Sequence, residues 1–241
     1  MNYQFVDEIE VENGLYFTRY GAAYLEDISA VVVSDVHLGY EDVLAMNGIF
    51  IPRVQSKLIY ETVDTIIERY QPEKFIIDGD LKHEFSGNTP QEWKDVFELL
   101  QRIGKKSNPI IVKGNHDNYV ANIASKLDIR VFDIYREGRY TFHHGHKLFK
   151  WDGLAIIGNE HPAVGLRDSV DSVLKLHCFL YFKKERLVVL PAMSIYAGGS
   201  DILKNEISSP VLREVELNEG RVYGLWEAYG TVDLGNVGGL L

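Results

Sequence analysis

Apolar residues fall along this chain in two rhythms, which change over near residue 131. Before that point, short β-branched runs alternate with longer stretches of helical spacing. Ile28 to Val33 is one such run, bounded by polar residues, and predicts a strand. Arg53 to Tyr70 sets Leu58, Ile59, Val63, Ile66 and Ile67 at helical intervals. Phe75 to Ile77 and Ile110 to Val112 predict two more strands. Pro90 to Ile103 predicts the helix between them, with Pro90 suited to a first turn and Gly104 to an end. Asn122 to Leu127 predicts a short helix. The order β-α-β-α-β implies parallel strands joined by helical crossovers.

Beyond residue 131 helical spacing becomes rare. Arg139 to His143, Leu154 to Ile157, Phe179 to Phe182, Leu187 to Val189 and Val211 to Leu217 all read as strands, and Arg221 to Val232 as a final strand pair. The expected architecture is α/β: a four-layer α-β-β-α sandwich of two mixed sheets flanked by helices. The second sheet is expected to be mainly antiparallel, and residues 1–241 to form a single domain.

With 46% hydrophobic and 25% charged residues, the chain can bury a sizeable core, which excludes a disordered segment. A net charge of −10 argues against broad electrostatic binding to nucleic acid or anionic lipid. A carboxylate cluster can still gather divalent cations, which then supply local positive charge. Cys178 is the single cysteine, so no internal disulfide forms, which suits a reducing compartment. The first residues have neither the basic nor the apolar region of a signal peptide, and no apolar run is long enough to span a bilayer. A cytoplasmic protein without a membrane partner is the expectation.

Five of the apolar runs end in turns rich in potential metal ligands. Val31 to Ser34 leads into Asp35 and His37, and Phe75 to Ile77 into Asp78-Gly79-Asp80. Ile110 to Val112 leads into Gly114-Asn115-His116-Asp117, Tyr140 to Phe142 into His143-His144-Gly145-His146, and Ala155 to Ile157 into Gly158-Asn159-Glu160-His161. In α/β sheets, sites form beyond the carboxyl ends of strands, where distant residues converge. Carboxylate, imidazole and amide donors together suit Mn²⁺, Fe or Zn²⁺ better than Ca²⁺, with Ni²⁺ a further option. Two such ions about 3.5–4 Å apart need a bridging carboxylate and can clamp a phosphate.

These motifs, in this order, resemble the calcineurin-like metallophosphoesterases. Gly79-Asp80-Leu81-Lys82-His83, His161-Pro162-Ala163 and Leu190-Pro191-Ala192 followed by Gly198-Gly199-Ser200-Asp201 look like the Icc-like, ligase-associated branch. That branch is tied to DNA repair, and archaeal relatives to a helicase. Gly79 to His83 also resembles the nuclease subunit of the double-strand-break repair complex. The resemblance implies two divalent ions, Mn²⁺ first among them. It implies that Asp35, His37 and His161 hold the first ion, that Asp80 bridges, and that Asn115 and His144 hold the second. His116 is implied to face the phosphate as a catalytic residue.

Two positions depart from the family pattern. Asn159 stands where the first His of a Gly-His-x-His motif belongs and offers an amide oxygen as a weaker metal ligand. His83 stands where phosphatases of the superfamily carry an Asp that orients the catalytic His, so an imidazole there is a candidate for contact with a phosphate or leaving group. Lys82 is a candidate for substrate contact too. His143 points to the opposite strand face and is expected to pack, while His146 is open between supporting a ligand and touching substrate. The implied activity is a phosphodiesterase or nuclease acting on nucleic acid or nucleotides, with a phosphoester strand and a repair helicase as partners. A small-molecule phosphomonoesterase and a non-catalytic partner subunit are the alternatives.

Overall fold

In the computed structural model, which describes residues 4–167, 173–204, 207–226 and 228–241, the apolar runs become the centres of two stacked sheets. The first sheet has seven strands in chain order: β1 (Glu8–Glu12), β2 (Leu15–Thr18), β3 (Ala23–Leu25), β4 (Ala30–Val33), β5 (Lys74–Asp78), β6 (Asn108–Val112) and β7 (Val131–Phe132). β1 to β4 pair antiparallel and β4 to β7 parallel. The parallel half is the expected β-α-β-α-β unit, with α1 (Tyr40–Met46) and α2 (Gln55–Tyr70) after β4, α3 (Pro90–Gly104) after β5 and α4 (Val120–Ala124) after β6. Thr89 caps α3 by accepting the Glu92 N–H at 3.0 Å, and Pro90 occupies the first turn, where a missing N–H costs nothing.

The second sheet contains β8 (Tyr135–Glu137), β9 (Tyr140–Phe142), β10 (Leu154–Ile157), β11 (Pro162–Arg167), β12 (Val173–Phe182), β13 (Leu187–Val189), β14 (Ser200–Asp201), β15 (Arg221–Trp226) and β16 (Gly230–Asn236). Its outer pairs β8/β9, β11/β12, β12/β15 and β15/β16 are antiparallel, as expected from sequence. Its centre is not: β9, β10 and β13 run parallel. Their crossovers are made by loops and other strands, so the lack of helical spacing gave no sign of a parallel core.

Three apolar layers separate the four structural ones. Val63, Ile66, Phe75, Ile77, Leu99 and Ile111 fill the space between the helices and the first sheet. Phe17, Val32, Ile76, Phe142, Ile156 and Phe179 fill the space between the sheets, where Phe17 stacks on Phe179 with centroids 4.2 Å apart. The outer face of the second sheet is covered by Ile202, Leu212 and Val237, which sit on short 3₁₀ turns. This corrects one expectation. The segment read as a strand from Val211 to Leu217 forms two 3₁₀ turns, Leu212–Glu214 and Leu217–Glu219. Its apolar side chains lie on the sheet as a cover instead of pairing with its edge.

Candidate metal centre

The carboxyl ends of β4, β5, β6, β9 and β10 all open at one place, between the two sheets. The loops there are fastened to each other through the main chain. The Asp35 N–H donates to the Gly79 carbonyl at 3.1 Å and the His37 N–H to the Asp80 carbonyl at 2.9 Å. Across the sheet interface, the N–H groups of Met193 and Ser194 donate to the carbonyls of Ser34 and Asp35. The Leu190-Pro191-Ala192 motif thus leads into the seam that joins both sheets at the site.

Backbone strain is concentrated in these loops. Asp35, His37, Asp80, Asn159 and His161 all have left-handed φ, between 48° and 66°. Such conformations cost free energy in L-residues and persist where the surroundings over-determine them, which occurs mostly at functional sites. Two glycines admit the ligands. A Cβ on Gly79 would lie 2.1 Å from the His144 ring, and one on Gly114 would lie 2.1 Å from Asp80 Oδ1.

Two ligand groups share Asp35. In the first, Asp35, His37 and His161 each offer an atom within 4.8 Å of the others. His161 Nε2 lies 2.8 Å from Asp35 Oδ1 and 3.4 Å from His37 Nε2. In the second, Asp35 joins Asp80 and His144. His144 Nε2 lies 3.2 Å from Asp80 Oδ2 and 3.7 Å from Asp35 Oδ1, while His37 Nε2 lies 3.8 Å from the same Asp80 oxygen. Asp80 Oδ2 thus lies near one imidazole of each group, while Asp35 Oδ1 belongs to both. Asn115 sits between Gly114 and His116, both of which touch Asp80, and its side-chain oxygen is buried without a hydrogen-bond donor.

The donor set fits a cation. His144 Nδ1 donates to the Asp78 carbonyl at 2.9 Å, which leaves Nε2 as its free atom. That buried nitrogen faces two carboxylates, Asp80 at 3.2 Å and Asp35 at 3.7 Å, and Asp35 Oδ1 is met otherwise by His161. Only positive charge makes such an arrangement favourable. The same need appears in the protonation of the side chains. Burial would lower the His144 imidazole, but Asp80 and Asp35 push it up to about 10. Burial would raise Asp80, yet His144 and His37 hold it well below the usual carboxylate range. His37, with burial dominant, is pulled down to about 4 and stays a neutral ligand.

Supporting groups fix the remaining atoms. Asp35 Oδ2 accepts from the Ser34 hydroxyl at 2.7 Å and from the Asn159 N–H at 3.0 Å, so Oδ1 is the free oxygen. The position assigned to Asn159 is thus anchored by its main chain. Asp117 accepts from the N–H groups of Leu81 and Gly114, at 3.0 and 2.9 Å, and ties two loops. Glu160, buried behind His161, accepts three N–H or O–H bonds from Ser208 and Ser209.

The other sequence candidates are resolved as follows. His116 donates from Nδ1 to the carbonyl of His83 at 2.6 Å, so a main-chain oxygen orients this ring. The ring of His83 stacks on His116 at 5.5 Å and sets Nδ1 3.4 Å from His37 Nδ1. His143 turns away from the cluster to stack on Phe149 at 4.2 Å, and His146 lies beside it. Lys82 is a correction: fully buried, it reaches no open surface. Its Nζ donates to the carbonyls of Glu84 and Gly87 and lies 3.7 Å from the buried Glu92. Glu92 in turn accepts the N–H groups of His83 and Glu84. This buried pair, which holds the His83 loop, has a sequence signal only in hindsight: a lysine between the metal-ligand motif and a helix cap.

Comparison with known proteins follows the same lines. Residues 28–208 match the family described as calcineurin-like phosphoesterase. Among solved structures, the Pseudomonas putida nuclease MPE superposes with a TM-score of 0.71 at 23% identity, covering 97% of this chain and 100% of that one. YfcE, a phosphoesterase from E. coli, gives 0.41 at 18% identity, over 71% of this chain and 83% of its own. No curated protein matches the sequence. No helix among the described residues is long and apolar enough to cross a membrane.

Proposed function

This chain belongs to the calcineurin-like phosphoesterase family, and from that premise we propose that it is a phosphodiesterase or nuclease acting on nucleic acid or nucleotides. The observation that carries the reading is the buried cluster of Asp35, Asp80 and His144 with His37 and His161 against it, next to Asn115, whose side-chain oxygen is buried without a hydrogen-bond donor. Asp35, His37 and His161 would hold one divalent ion and Asn115 and His144 another, with Asp80 between them and Asn159 where a further imidazole is usual. Bound there, Mn²⁺ or a similar ion would supply hydroxide from water at neutral pH and offset charge on the phosphoryl group.

The chain's own residues do the rest. His116, its Nδ1 committed to the His83 carbonyl, has Nε2 for the substrate. It stabilises the crowded phosphoryl oxygens or protonates the leaving oxygen, a contribution typically worth about 10²–10⁴-fold. The ring of His83, stacked beside it, would contact a phosphate or the leaving group. The oxygen of water joins phosphorus, one P–O ester bond breaks, and the leaving oxygen takes a proton. A diester thus becomes a monoester and an alcohol. DNA or RNA is the expected strand, and the motif resemblance supports a setting in DNA repair beside a helicase.

The test is turnover of bis-p-nitrophenyl phosphate and of p-nitrophenyl phosphate by the purified chain with Mn²⁺. Diester hydrolysis is expected to be the faster, and Asp80→Asn to lower it by at least about 10³-fold, since it weakens both halves of the site at once. Faster monoester hydrolysis points to a phosphomonoesterase instead. No turnover of either overturns the reading.

A further inference from the structure

Next to the metal cluster, on its Asn115 side, a groove of about 540 Å³ opens to solvent. Gly114 and Asn115 form part of its wall, so it runs directly into the reaction centre. Its size is within the ~300–1,000 Å³ usual for small-ligand sites. Two kinds of surface line it. Phe85 and Leu148 are 56% and 63% exposed, and both face the groove. Lys113 and Lys147 line it too, without an ion-pair partner among the described residues. Asp133 lines it as well.

An exposed ring on a loose loop would mean little. Phe85 is on a loop pinned from beneath. Lys82, fully buried, binds the carbonyls on either side of it, Glu84 and Gly87. Asn118 Nδ2 donates to the Phe85 carbonyl at 3.4 Å, and Glu92 accepts the His83 and Glu84 N–H groups. A buried charge is costly, so a lysine used this way marks a main chain that must hold one shape. The Phe85 ring stands edge-on to His116, with centroids 6.0 Å apart at 87°, which links the groove to the catalytic imidazole.

We propose that this groove is a nucleotide subsite for an unpaired strand of nucleic acid. The base stacks on Phe85 with Leu148 at its side. Lys113 and Lys147 meet the phosphate next to the one being cleaved. Both faces of a base are covered in a duplex, so the stacking surface selects single-stranded segments. With two lysines in the groove, the contact is proposed to span one or two nucleotides. The proposal rests on the phosphodiesterase reading and adds the substrate class.

Phe85→Ala, Leu148→Ala and the paired Lys113→Ala/Lys147→Ala variant are assayed with Mn²⁺ on three substrates: a short oligodeoxythymidine, its ribo counterpart and bis-p-nitrophenyl phosphate. The quantity read is kcat/KM on the oligonucleotide divided by that on the small diester. The expected result is a fall of at least about fivefold in this ratio for Phe85→Ala and for the lysine pair, with a smaller fall for Leu148→Ala. Lys57→Ala, on the exposed face of α2, is the control with an unchanged ratio. Fluorescence anisotropy of the same labelled oligonucleotides in EDTA is expected to show a matching rise in Kd. The slope of log Kd against log salt is expected to flatten from about 0.7 towards zero in the lysine pair. The DNA and RNA arms show which backbone is preferred. An unchanged ratio overturns the subsite, and so does an equal loss on all substrates, which would mean that Phe85 only braces His116. Cleavage of the small diester without any oligonucleotide also overturns it, while leaving the phosphodiesterase reading intact. Cleavage of neither sinks that reading itself.

Discussion

The proposed half-site of Asp35, His37 and His161 differs from that of Asn115 and His144 in how its donor atoms are held in place. The first half uses strained backbone: all three of its residues have left-handed φ. It stays partly open, with the His161 side chain 24% exposed. The second half uses burial. His144 is fully enclosed, its ring direction set by the Asp78 carbonyl and its room made by Gly79. Where a further imidazole would complete it, Asn159 stands, with its N–H spent on Asp35. The contrast teaches that a similar demand for positive charge can be met by strained, partly open loops or by a fully enclosed imidazole such as His144. The open half is expected to exchange its ion readily, and the closed half to depend on its few donors.

The strongest way to break the comparison is to remove one imidazole from each half. His161→Ala and His144→Ala are each expected to lower diester turnover by at least about 100-fold, more than outer contacts of metal ligands usually cost. They should differ in metal-free stability. His144→Ala removes the buried imidazole that faces both Asp35 and Asp80 and should destabilise the protein by about 3–5 kcal/mol. His161→Ala, at the more open edge, should cost less. Urea unfolding in EDTA reads the difference, and equal losses would erase the distinction drawn above.

A gentler change sharpens it. Asn159→His restores an imidazole beside the second half. It should tighten the weaker Mn²⁺ equivalent about tenfold, the scale on which single contacts around a metal act. It should cost about 1 kcal/mol of stability, because residue 159 has φ +66°. Titration calorimetry with Mn²⁺ and thermal unfolding measure both numbers. An unchanged affinity would show that the second half is already complete.

The smallest effect is on pH. In the metal-free protein His144 is raised to about 10 by Asp80 and Asp35, against the opposing pull of burial, so at neutral pH a proton sits where an ion would. Folding favours that proton. Its stabilisation is fully present below pH ~6.5, the unfolded value, and is lost as pH rises through about 10. A metal must displace the proton, so apparent affinity should rise by up to about tenfold per pH unit between pH 6 and 8 for each proton released. Calorimetry in buffers of different ionisation enthalpy counts the protons. Release of none would mean that His144 is already neutral.

Much of this was legible before the structure. The runs from Ile28 to Val112 form β4, β5 and β6 with α2 and α3 between them, because local spacing and short crossovers determine such a unit. The five strand-end motifs do meet at one opening. Other parts were hidden. The β1–β3 meander and β11 were not read as strands, although Glu8 to Glu12 alternates strictly between acidic and apolar residues. Val211 to Leu217 alternated like a strand yet covers a sheet face, since a two-residue apolar rhythm does not reveal whether an edge is free to pair with it.

The chain by itself determined which side chains are available: which strand ends carry carboxylate, imidazole or amide, and where glycine leaves room for them. Only tertiary structure decided their duties. It took the packing of two sheets to turn His144 inward and His143 outward, and to make a main-chain oxygen of His83 the support of His116. It also buried Lys82, a sequence candidate for substrate contact, beneath its own loop. The physical reason is that ligand geometry and burial are set by contacts between residues far apart in sequence, and spacing along the chain does not encode them.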